Sequence, residues 1–377
     1  MPYFVRRQTP PHEQLTFEEI MLGIPSGKPA KAHRGDATGT ITRVRIPTPE
    51  DIKRADIPYL IDILDSFYGR HHNLYDKPRQ ELYRTFYIPK HSGGLRKIDA
   101  PNDELMAALR ELKVIFEKHF GALYHTSAFA YVSGRCPVDA VKRHQMNESK
   151  WFLKTDFSDF FGTTTQDFIE ESFKQIFPFS EVMKYLPGSR AVSRAIDLCL
   201  LNGGLPQGTP ISPMLTNLIM IPIDHAIFNK LAEKHFVYTR YADDMLISCK
   251  QNFDPKAIQD LINEVLKEHK APYTIKREKT RYASSSGSNW NLGVMLNKEN
   301  EITVGYQKKK QFKAMVNAFI LDTKNNVPWP LDDVKHMDGL LSYYKMVEPE
   351  YFKHLIESYN AKYGVDFKLM VKLAQGG

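Results

Sequence analysis

Apolar residues occur along the chain in two kinds of pattern, short strand-like runs and longer stretches with helical spacing. Residues 236–238 and 245–247 are apolar arms on either side of a polar turn that holds Asp243 and Asp244, so they predict a half-buried β-hairpin. The apolar run before Asp156 predicts a buried strand that ends at this carboxylate. Helical spacing of apolar positions predicts amphipathic helices over residues 103–120 and 255–270.

A second hairpin is predicted from about residue 80 to residue 100, where two β-prone arms flank the sequence His-Ser-Gly-Gly. The Gly- and Pro-rich loop GLPQGTPISP precedes an apolar run that predicts a core helix. Residues 1–75 form a basic lead-in with helix-start signals at Thr16 and Thr48. From about residue 305 the composition changes to Lys-rich helical segments, and the chain contains no internal repeat.

Composition and charge limit the classes of protein to which the chain can belong. The chain has 377 residues, of which 42% are hydrophobic, enough for a sizeable core and for two or three domains. Its 51 Lys and Arg residues against 44 Asp and Glu give a formal net charge of +7. This balance favours a polyanion such as nucleic acid as a partner, although surplus lysine is also common on ordinary solvated surfaces.

The cysteines and the apolar runs exclude several other classes. Cys136, Cys199 and Cys249 are scattered, without a CxxC pair or a His cluster, so neither a disulfide framework nor a zinc site is predicted. The first residues lack the apolar core of a secretory signal, and the longest apolar run is interrupted and too short for a bilayer about 30 Å thick. We therefore expect a cytoplasmic protein with no membrane partner.

The two adjacent carboxylates of the first predicted hairpin repel each other, and placing them together is costly unless a cation neutralises them. Oxygen ligands of this kind favour Mg²⁺, which keeps several waters and takes further ligands from substrate phosphates. Two such ions about 3.5–4 Å apart can activate a 3′-hydroxyl and stabilise a leaving pyrophosphate. This chemistry needs a further carboxylate, for which Asp156 is the best candidate. The alternative is an acidic turn on a solvated hairpin.

Four ordered blocks of the sequence resemble those of prokaryotic reverse transcriptases: IPKHSGGLRKIDAP, WFLKTDFSDFF, GLPQGTPISPMLTNL and YADD. KREKTRY and WNLGVMLN add a weaker fifth block. The resemblance implies an α+β right-hand polymerase fold with fingers, a palm of antiparallel sheet plus helices, and a helical thumb. It implies three regions, namely a basic N-terminal extension over 1–75, fingers and palm over 76–300, and the thumb over 301–377.

The resemblance also implies an activity and its catalytic residues. The protein would be an RNA-directed DNA polymerase that adds dNTPs to a primer 3′-hydroxyl along a template RNA. Asp156, Asp243 and Asp244 would be the catalytic, metal-binding carboxylates. The first two would bind both of two Mg²⁺ ions directly and Asp244 would assist, with Mn²⁺ able to replace Mg²⁺.

Two cations and one aromatic residue are expected at the incoming nucleotide. Lys90 and Arg96 flank the glycine turn of the second hairpin, and they suit a triphosphate, Arg96 through its planar fork and Lys90 as a point charge. Plain solvation of two basic residues is the alternative. Phe161 lies five residues past Asp156, where the family places a bulky residue beneath the sugar. An aromatic ring there leaves little room for a 2′-hydroxyl and favours dNTPs over NTPs.

The remaining nucleotide-binding candidates come from two later blocks. By resemblance Gln207 faces the nucleotide and the template base, with Ser212 and Asn217 in support of the site. Lys279 stands where the family keeps a lysine near the pyrophosphate and would act as a general acid; a surface lysine is the alternative.

A lysine-rich helix is predicted to track the duplex of template and primer. It carries Lys308, Lys309, Lys310 and Lys313, and a stripe of lysines binds a phosphate backbone with strong salt dependence. A solvated helix face is the alternative. In the segment after this helix, Tyr343 and Tyr344 are expected in the core rather than at a stacking surface.

The chain most resembles retron-like and defence-associated bacterial reverse transcriptases, which work with a dedicated structured RNA. Cys136 replaces a common Ser, Gly162 replaces the usual Pro, and Asn-Leu-Gly-Val replaces the Val-Thr-Gly triplet of retron enzymes. An antiviral role follows as a hypothesis from the resemblance. Untemplated or protein-primed synthesis by the same carboxylates stays open, as does a non-catalytic RNA-binding protein on the same fold. The oligomeric state is not predicted.

Overall fold

The structure, a computed structural model, describes residues 57–89, 93–285 and 292–376. The helix-start signals at Thr16 and Thr48 and the triphosphate candidate Lys90 lie outside these ranges. The helices are α1 (Ile57–Tyr75), α2 (Asp103–Val114), α3 (Pro137–Met146), α4 (Gln166–Phe173), α5 (Phe179–Val182), α6 (Leu186–Leu198), α7 (Ser212–Ile219), α8 (Ile221–Ala232), α9 (Pro255–Glu268), α10 (Tyr306–Lys324), α11 (Leu331–Val347), α12 (Pro349–Tyr363) and α13 (Phe367–Ala374).

Within these ranges the strands form three sheets. β1 (Tyr83–Pro89) and β2 (Leu95–Pro101) pair antiparallel, with Tyr83 opposite Pro101 and Pro89 opposite Leu95. A four-stranded sheet has the order β4-β5-β3-β6 and consists of β3 (Trp151–Asp156), β4 (Val237–Tyr241), β5 (Asp244–Cys249) and β6 (Arg281–Ser284). The short strands β7 (Met295–Leu296) and β8 (Ile302–Thr303) pair antiparallel.

The predicted strands and helices that fall on described residues are confirmed, with changes at their ends and one helix divided into two. The helix predicted over 103–120 starts where Asn102 accepts a hydrogen bond from the Leu105 N–H and ends as one π-helical turn over Ile115–His119. The helix predicted over 255–270 is α9, which Asp254 caps and Pro255 begins. The apolar run after the Gly- and Pro-rich loop forms two consecutive helices, α7 and α8, rather than one.

The chain divides into two compact units, neither of which is continuous in sequence. The first unit takes in the described part of Met1–Arg135, with Lys154–Ile247 and Asp254–Thr280. Its core is apolar and aromatic, with Phe116, Phe173 and Phe179 fully buried against one another. These rings pack α4 and α5 against the π-helical turn that follows α2.

The second unit takes in Cys136–Leu153, Ser248–Phe253 and the described part of Arg281–Gly377. Its core joins α3 to the C-terminal helices, with Phe312, Phe319 and Phe352 buried at its centre. Tyr344 is buried there and Tyr343 packs against the same cluster, as expected from the sequence. The three regions expected from the sequence, 1–75, 76–300 and 301–377, stay a prediction.

Over the described residues, the helices are all too short or too polar to traverse a bilayer.

Candidate active site

The polar turn between β4 and β5 places Asp243 and Asp244 at one end of the sheet. Ala242 has a φ of 58°, in the left-handed region, and this sharp change of direction leaves Asp243 in the turn and Asp244 as the first residue of β5. The predicted hairpin is therefore confirmed, with Ala242 and Asp243 in its turn and Asp244 at the start of its second strand. Its geometry follows from buried contacts made by the strand that leads into it.

Arg240, on β4, is fully buried and holds this turn. Its Nη1 donates to the carbonyl oxygen of Ala242 at 3.0 Å. Its other nitrogens bind the fully buried carboxylate of Asp224, with Nη2 2.7 Å from Oδ2 and Nε 2.9 Å from Oδ1. Tyr238 donates to the same Oδ1 at 2.8 Å. A buried charge needs such a paired and hydrogen-bonded partner, so Arg240 and Asp224 form one buried cluster with the turn between β4 and β5.

Asn217 connects the buried cluster of Arg240 and Asp224 to the loop that contains Ala130. Its Oδ1 accepts a hydrogen bond from Arg240 Nη1 at 3.2 Å, and its Nδ2 donates to the carbonyl oxygen of Ala130 at 2.8 Å. Ser212, the other residue expected to support the site, has its Oγ 2.6 Å from the Oγ1 of Thr209. Both residues are buried. Asn217 contacts the arginine that holds the turn and Ser212 contacts Thr209 of its own loop, and their support of the site stays a prediction.

A backbone contact brings Asp156 to the same turn. The N–H of Phe157 donates to the carbonyl oxygen of Asp243 at 3.2 Å, so the end of β3 lies beside the start of β5. Burial raises the pKa of Asp243, and the negative charges of Asp156 and then Asp244 raise it further. The three carboxylates are therefore close enough to repel one another.

Two lysines compensate part of this negative charge. Lys279 Nζ lies 2.6 Å from Asp156 Oδ2, and this hydrogen bond raises the pKa of the lysine. Lys154 Nζ lies 3.2 Å from Asp244 Oδ2. Burial raises the pKa of Asp244, although the charge of Lys154 opposes that rise. Asp243 is the member of the set whose charge is least compensated.

The donor set suits divalent cations. Oδ1 of Asp156 is buried and has no hydrogen-bond partner, which is costly for a carboxylate oxygen and leaves it available as a ligand. Across 57–89, 93–285 and 292–376, no group of three or more His, Cys, Asp or Glu side chains is arranged to hold a metal ion. Mg²⁺ is commonly held by one or two carboxylates together with substrate phosphates, so Asp156 with Asp243 fits such an ion.

Three nucleotide-binding candidates, Arg96, Phe161 and Gln207, lie on segments of the first unit that contact one another. The N–H of Leu205 donates to the carbonyl oxygen of Phe161 at 3.0 Å, and the N–H of Asp99 donates to the carbonyl oxygen of Gln207 at 2.8 Å. Arg96 is exposed on β2, three residues before Asp99. These backbone bonds connect the β1–β2 hairpin, the Gln207 loop and the Phe161 loop.

Tyr131 is a residue of this neighbourhood that the sequence analysis missed. It is 58% exposed and has a φ of 60°, a strained conformation for a bulky side chain. Partial burial raises the pKa of its hydroxyl, the charge of Asp243 raises it further, and the charge of Arg96 lowers it. The ring thus lies within electrostatic reach of both groups. A lone tyrosine carries no sequence signal, because only the fold brings it there.

Lys154, Arg240 and Asp224 were also missed, for different reasons. Lys154 lies two residues before Asp156, and strand alternation places both side chains on one face of β3, so this signal was present in the sequence. The pairing of Arg240 with Asp224 joins a strand to a helix and carries no comparable spacing signal.

The four lysines expected to contact template and primer lie on α10, in the second unit, and they do not form one uniform stripe. Lys309 forms an ion pair with Glu348, and its Nζ lies 4.2 Å from the centroid of the Tyr351 ring. Lys308 donates to the carbonyl oxygen of Gly293 at 2.7 Å. Of the four, Lys310 and Lys313 are exposed.

Comparison with known proteins gives a family match over this region. A family model described as reverse transcriptase (RNA-dependent DNA polymerase) matches residues 88–314, more than half of the chain. The chain is 28% identical over 300 residues to the retron Ec83 reverse transcriptase of Escherichia coli, covering 78% of this chain and 91% of that protein. It is 25% identical over 302 residues to the retron Mx65 reverse transcriptase of Myxococcus xanthus, covering 76% and 66%.

Solved structures of telomerases are similar at a lower level. Telomerase from Candida albicans in complex with the TWJ fragment of telomeric RNA aligns with a TM-score of 0.44 and 12% identity. That alignment covers 83% of this chain and 62% of the telomerase chain. A truncated apo telomerase from Candida tropicalis aligns with a TM-score of 0.43 and 14% identity, over 60% of this chain and 55% of that one. The chain thus spans less than two thirds of these telomerase chains.

The similarity to retron enzymes persists in spite of the departures at Cys136, at Gly162 and over residues 291–294.

Proposed function

The chain belongs to the reverse transcriptase family and is an RNA-directed DNA polymerase, and we propose that Asp156, Asp243 and Asp244 are the carboxylates at which it adds dNTPs to a primer 3′-hydroxyl. The observation that carries this proposal is the backbone bond from Phe157 to Asp243, which joins the end of β3 to the catalytic turn. It collects three carboxylates, two of them with raised pKa, at one end of the sheet.

Enzymes of this family use divalent metal ions, and we propose two Mg²⁺ ions, with Mn²⁺ as a substitute. When bound, they would supply activation of the 3′-hydroxyl and stabilisation of the leaving pyrophosphate. The buried, unpartnered Oδ1 of Asp156 and the carboxylate of Asp243 are the ligands that this chain offers directly. Asp244, paired with Lys154, assists by adding negative charge beside them.

The surrounding residues bind and orient the nucleotide. Arg96 holds the triphosphate through its planar guanidinium, with Lys90 beyond the described part of the hairpin. The Phe161 ring excludes the 2′-hydroxyl, and Gln207 faces the base pair. Lys279 lies at the carboxylates and would hold a proton for the leaving pyrophosphate, since its hydrogen bond to Asp156 keeps it charged.

We propose a dedicated structured RNA as the natural template, because the relatives of this chain are named as retron reverse transcriptases. Lys310 and Lys313, exposed on α10, would contact the duplex of template and primer. We also propose that the chain has an extension over 1–75, fingers and palm over 76–300 and a thumb over 301–377. A cytoplasmic location is proposed as well. Antiviral defence is the cellular role that we propose from the resemblance to defence-associated enzymes, and phage plating with and without the gene tests it.

Primer extension on a primed RNA template tests the catalytic assignment. Purified wild type with Mg²⁺ is compared with Asp243→Asn and with Asp260→Asn, an exposed aspartate on α9 that serves as the matched control. We expect template-dependent product from wild type and Asp260→Asn and a loss of at least about 10³-fold in Asp243→Asn. Full activity of Asp243→Asn would overturn the assignment. Homopolymer product without added template would instead indicate the untemplated alternative.

A further inference from the structure

The backbones of two glycines, Gly204 and Gly162, are in close contact, and Gly162 directly follows Phe161 in the sequence. A Cβ atom added to Gly204 would lie 2.1 Å from the carbonyl oxygen of Gly162 and 2.8 Å from its carbonyl carbon. These are main-chain atoms, which cannot rotate away as the end of a side chain can. Any residue other than glycine at position 204 therefore forces the two segments apart by roughly 1 Å.

Gly204 is held in place by a tight turn. The N–H of Leu201 donates to the carbonyl oxygen of Gly204 at 2.9 Å, and the N–H of Gly204 donates back to Leu201 at 3.2 Å. Asn202 and Gly203, between them, have φ values of 52° and 83°, so both central residues of the turn are left-handed. This closed turn gives Gly204 little freedom to retreat.

The segment on the other side of the contact is equally fixed. The N–H and the Oγ1 of Thr163 both donate to the carbonyl oxygen of Asp159, at 3.0 and 2.9 Å. Thr164 Oγ1 donates to the carbonyl oxygen of Phe160, whose ring is buried. Phe161 is the aromatic residue of this turn that stays half-buried, and its own carbonyl oxygen accepts the Leu205 N–H.

We propose that Gly204 is a positioning residue for nucleotide selection. Its contact with Gly162, together with the Leu205–Phe161 hydrogen bond, sets how closely the Phe161 ring approaches the sugar of the incoming nucleotide. The inference rests on the proposed function of Phe161 as the sugar gate. A Cβ at position 162 would meet the Asp159 carboxylate at 2.5 Å, which is the end of a side chain that can rotate away, so the constraint at this contact comes from Gly204.

The test measures the ratio of kcat/KM for a dNTP to that for the matching NTP. We expect Gly204→Ala to lower this ratio by at least about tenfold, since misplacement by about 1 Å changes rates by up to about 10²-fold. Gly69→Ala, in α1 of the same unit, is the control, because a Cβ there has open space within 4 Å. A uniform slowing of dNTP and NTP incorporation in Gly204→Ala would overturn the inference.

Phe161→Ala, assayed in parallel, separates the two levels of the proposal. If Phe161→Ala leaves the ratio unchanged, the sugar-gate function itself is wrong. If Phe161→Ala lowers the ratio and Gly204→Ala does not, the gate stands and the positioning role of Gly204 is wrong. Should Gly204→Ala fail to fold, Gly203→Ala strains the same turn without a clash. We expect Gly203→Ala to lower the dNTP/NTP ratio by a smaller factor than the one expected for Gly204→Ala. An unchanged ratio in folded Gly203→Ala would count against the proposal.

Discussion

Lys279 Nζ lies 2.6 Å from Asp156 Oδ2, and the two partners differ sharply in exposure. The lysine side chain is 51% exposed, whereas the aspartate side chain is 8% exposed. The carboxylate is therefore fixed by the sheet, while the ammonium group can leave it at little cost. This asymmetry fits a lysine that neutralises the site when it is empty and turns to the pyrophosphate during the reaction.

Lys279→Gln should separate these two roles. We expect tighter Mn²⁺ binding by the free enzyme, because no ammonium group then competes with the ion for the negative charge of the Asp156 carboxylate. We also expect dNTP incorporation to slow by about 10²–10⁴-fold if the lysine acts as a general acid. Electron paramagnetic resonance without nucleotide measures the first and single-turnover extension the second. Lys256→Gln, at an exposed position on α9, is the control. Unchanged Mn²⁺ affinity would contradict the competition.

Phe161→Ala should raise ribonucleotide incorporation, because the ring no longer occupies the space beneath the sugar. Discrimination between dNTP and NTP should fall by roughly 10–10²-fold, the range in which a single apolar pocket rejects an added hydroxyl. Single-nucleotide extension with matched dNTP and NTP gives the ratio. Tyr185→Ala removes an exposed aromatic ring of the same unit and should leave the ratio unaltered.

Asp224→Asn should destabilise the first unit strongly. It leaves the Arg240 guanidinium buried without its counter-charge, and breaking such a pair costs about 3–5 kcal/mol. Urea denaturation measures the free energy of unfolding. The control is Asp65→Asn, which removes an exposed ion pair with Arg194 and should cost less than about 1 kcal/mol. An equal loss of unfolding free energy in both variants would show that the buried pair stabilises the protein no more than the exposed pair does.

His144 should make the stability of the second unit fall in mild acid. The imidazole is fully buried, its Nδ1 lies 2.6 Å from Ser248 Oγ, and burial lowers its pKa to about 3. Between the ordinary pKa of about 6.5 and this value, the unfolded chain binds a proton that the folded chain does not. Stability should therefore be full above pH 6.5 and fall by up to about 1.4 kcal/mol per pH unit below it.

The measurement for His144 is urea unfolding at pH 7 and pH 5. His144→Gln should lose this part of the pH dependence, whatever its stability at pH 7. His336→Gln, at an exposed position on α11, should keep the wild-type difference between the two pH values. An identical difference in His144→Gln would show that other groups cause the acid sensitivity.

The α10 lysines should differ in their effect on nucleic-acid binding. The double variant Lys310→Gln/Lys313→Gln should weaken binding to a primed RNA template and reduce the salt slope by up to about 2, because both side chains are exposed. Lys309→Gln should leave the slope near its wild-type value, since that lysine pairs with Glu348. Fluorescence anisotropy across a salt series gives both slopes. A larger change for Lys309→Gln would reverse the assignment.

The amino-acid sequence alone determined the local elements and the three catalytic candidates. Adjacent Asp243 and Asp244 between apolar arms already predict a carboxylate turn, and the strand before Asp156 is recognisable from its apolar run. Strand alternation and helical periodicity are local properties, so they can be recognised in the sequence without knowledge of the fold. The boundaries shifted by only a few residues, as where the helix predicted over 103–120 ends in a π-helical turn.

Only the tertiary structure decided which residues accompany these carboxylates. The pairing of Arg240 with Asp224, the approach of Tyr131 to Asp243 and the contact of Gly162 with Gly204 join segments that are separate in sequence. Likewise, Lys309 is indistinguishable in sequence from its neighbours on α10, and it differs only because Glu348 lies beside it. Such contacts depend on chain packing and on desolvation, and neither has a fixed sequence spacing.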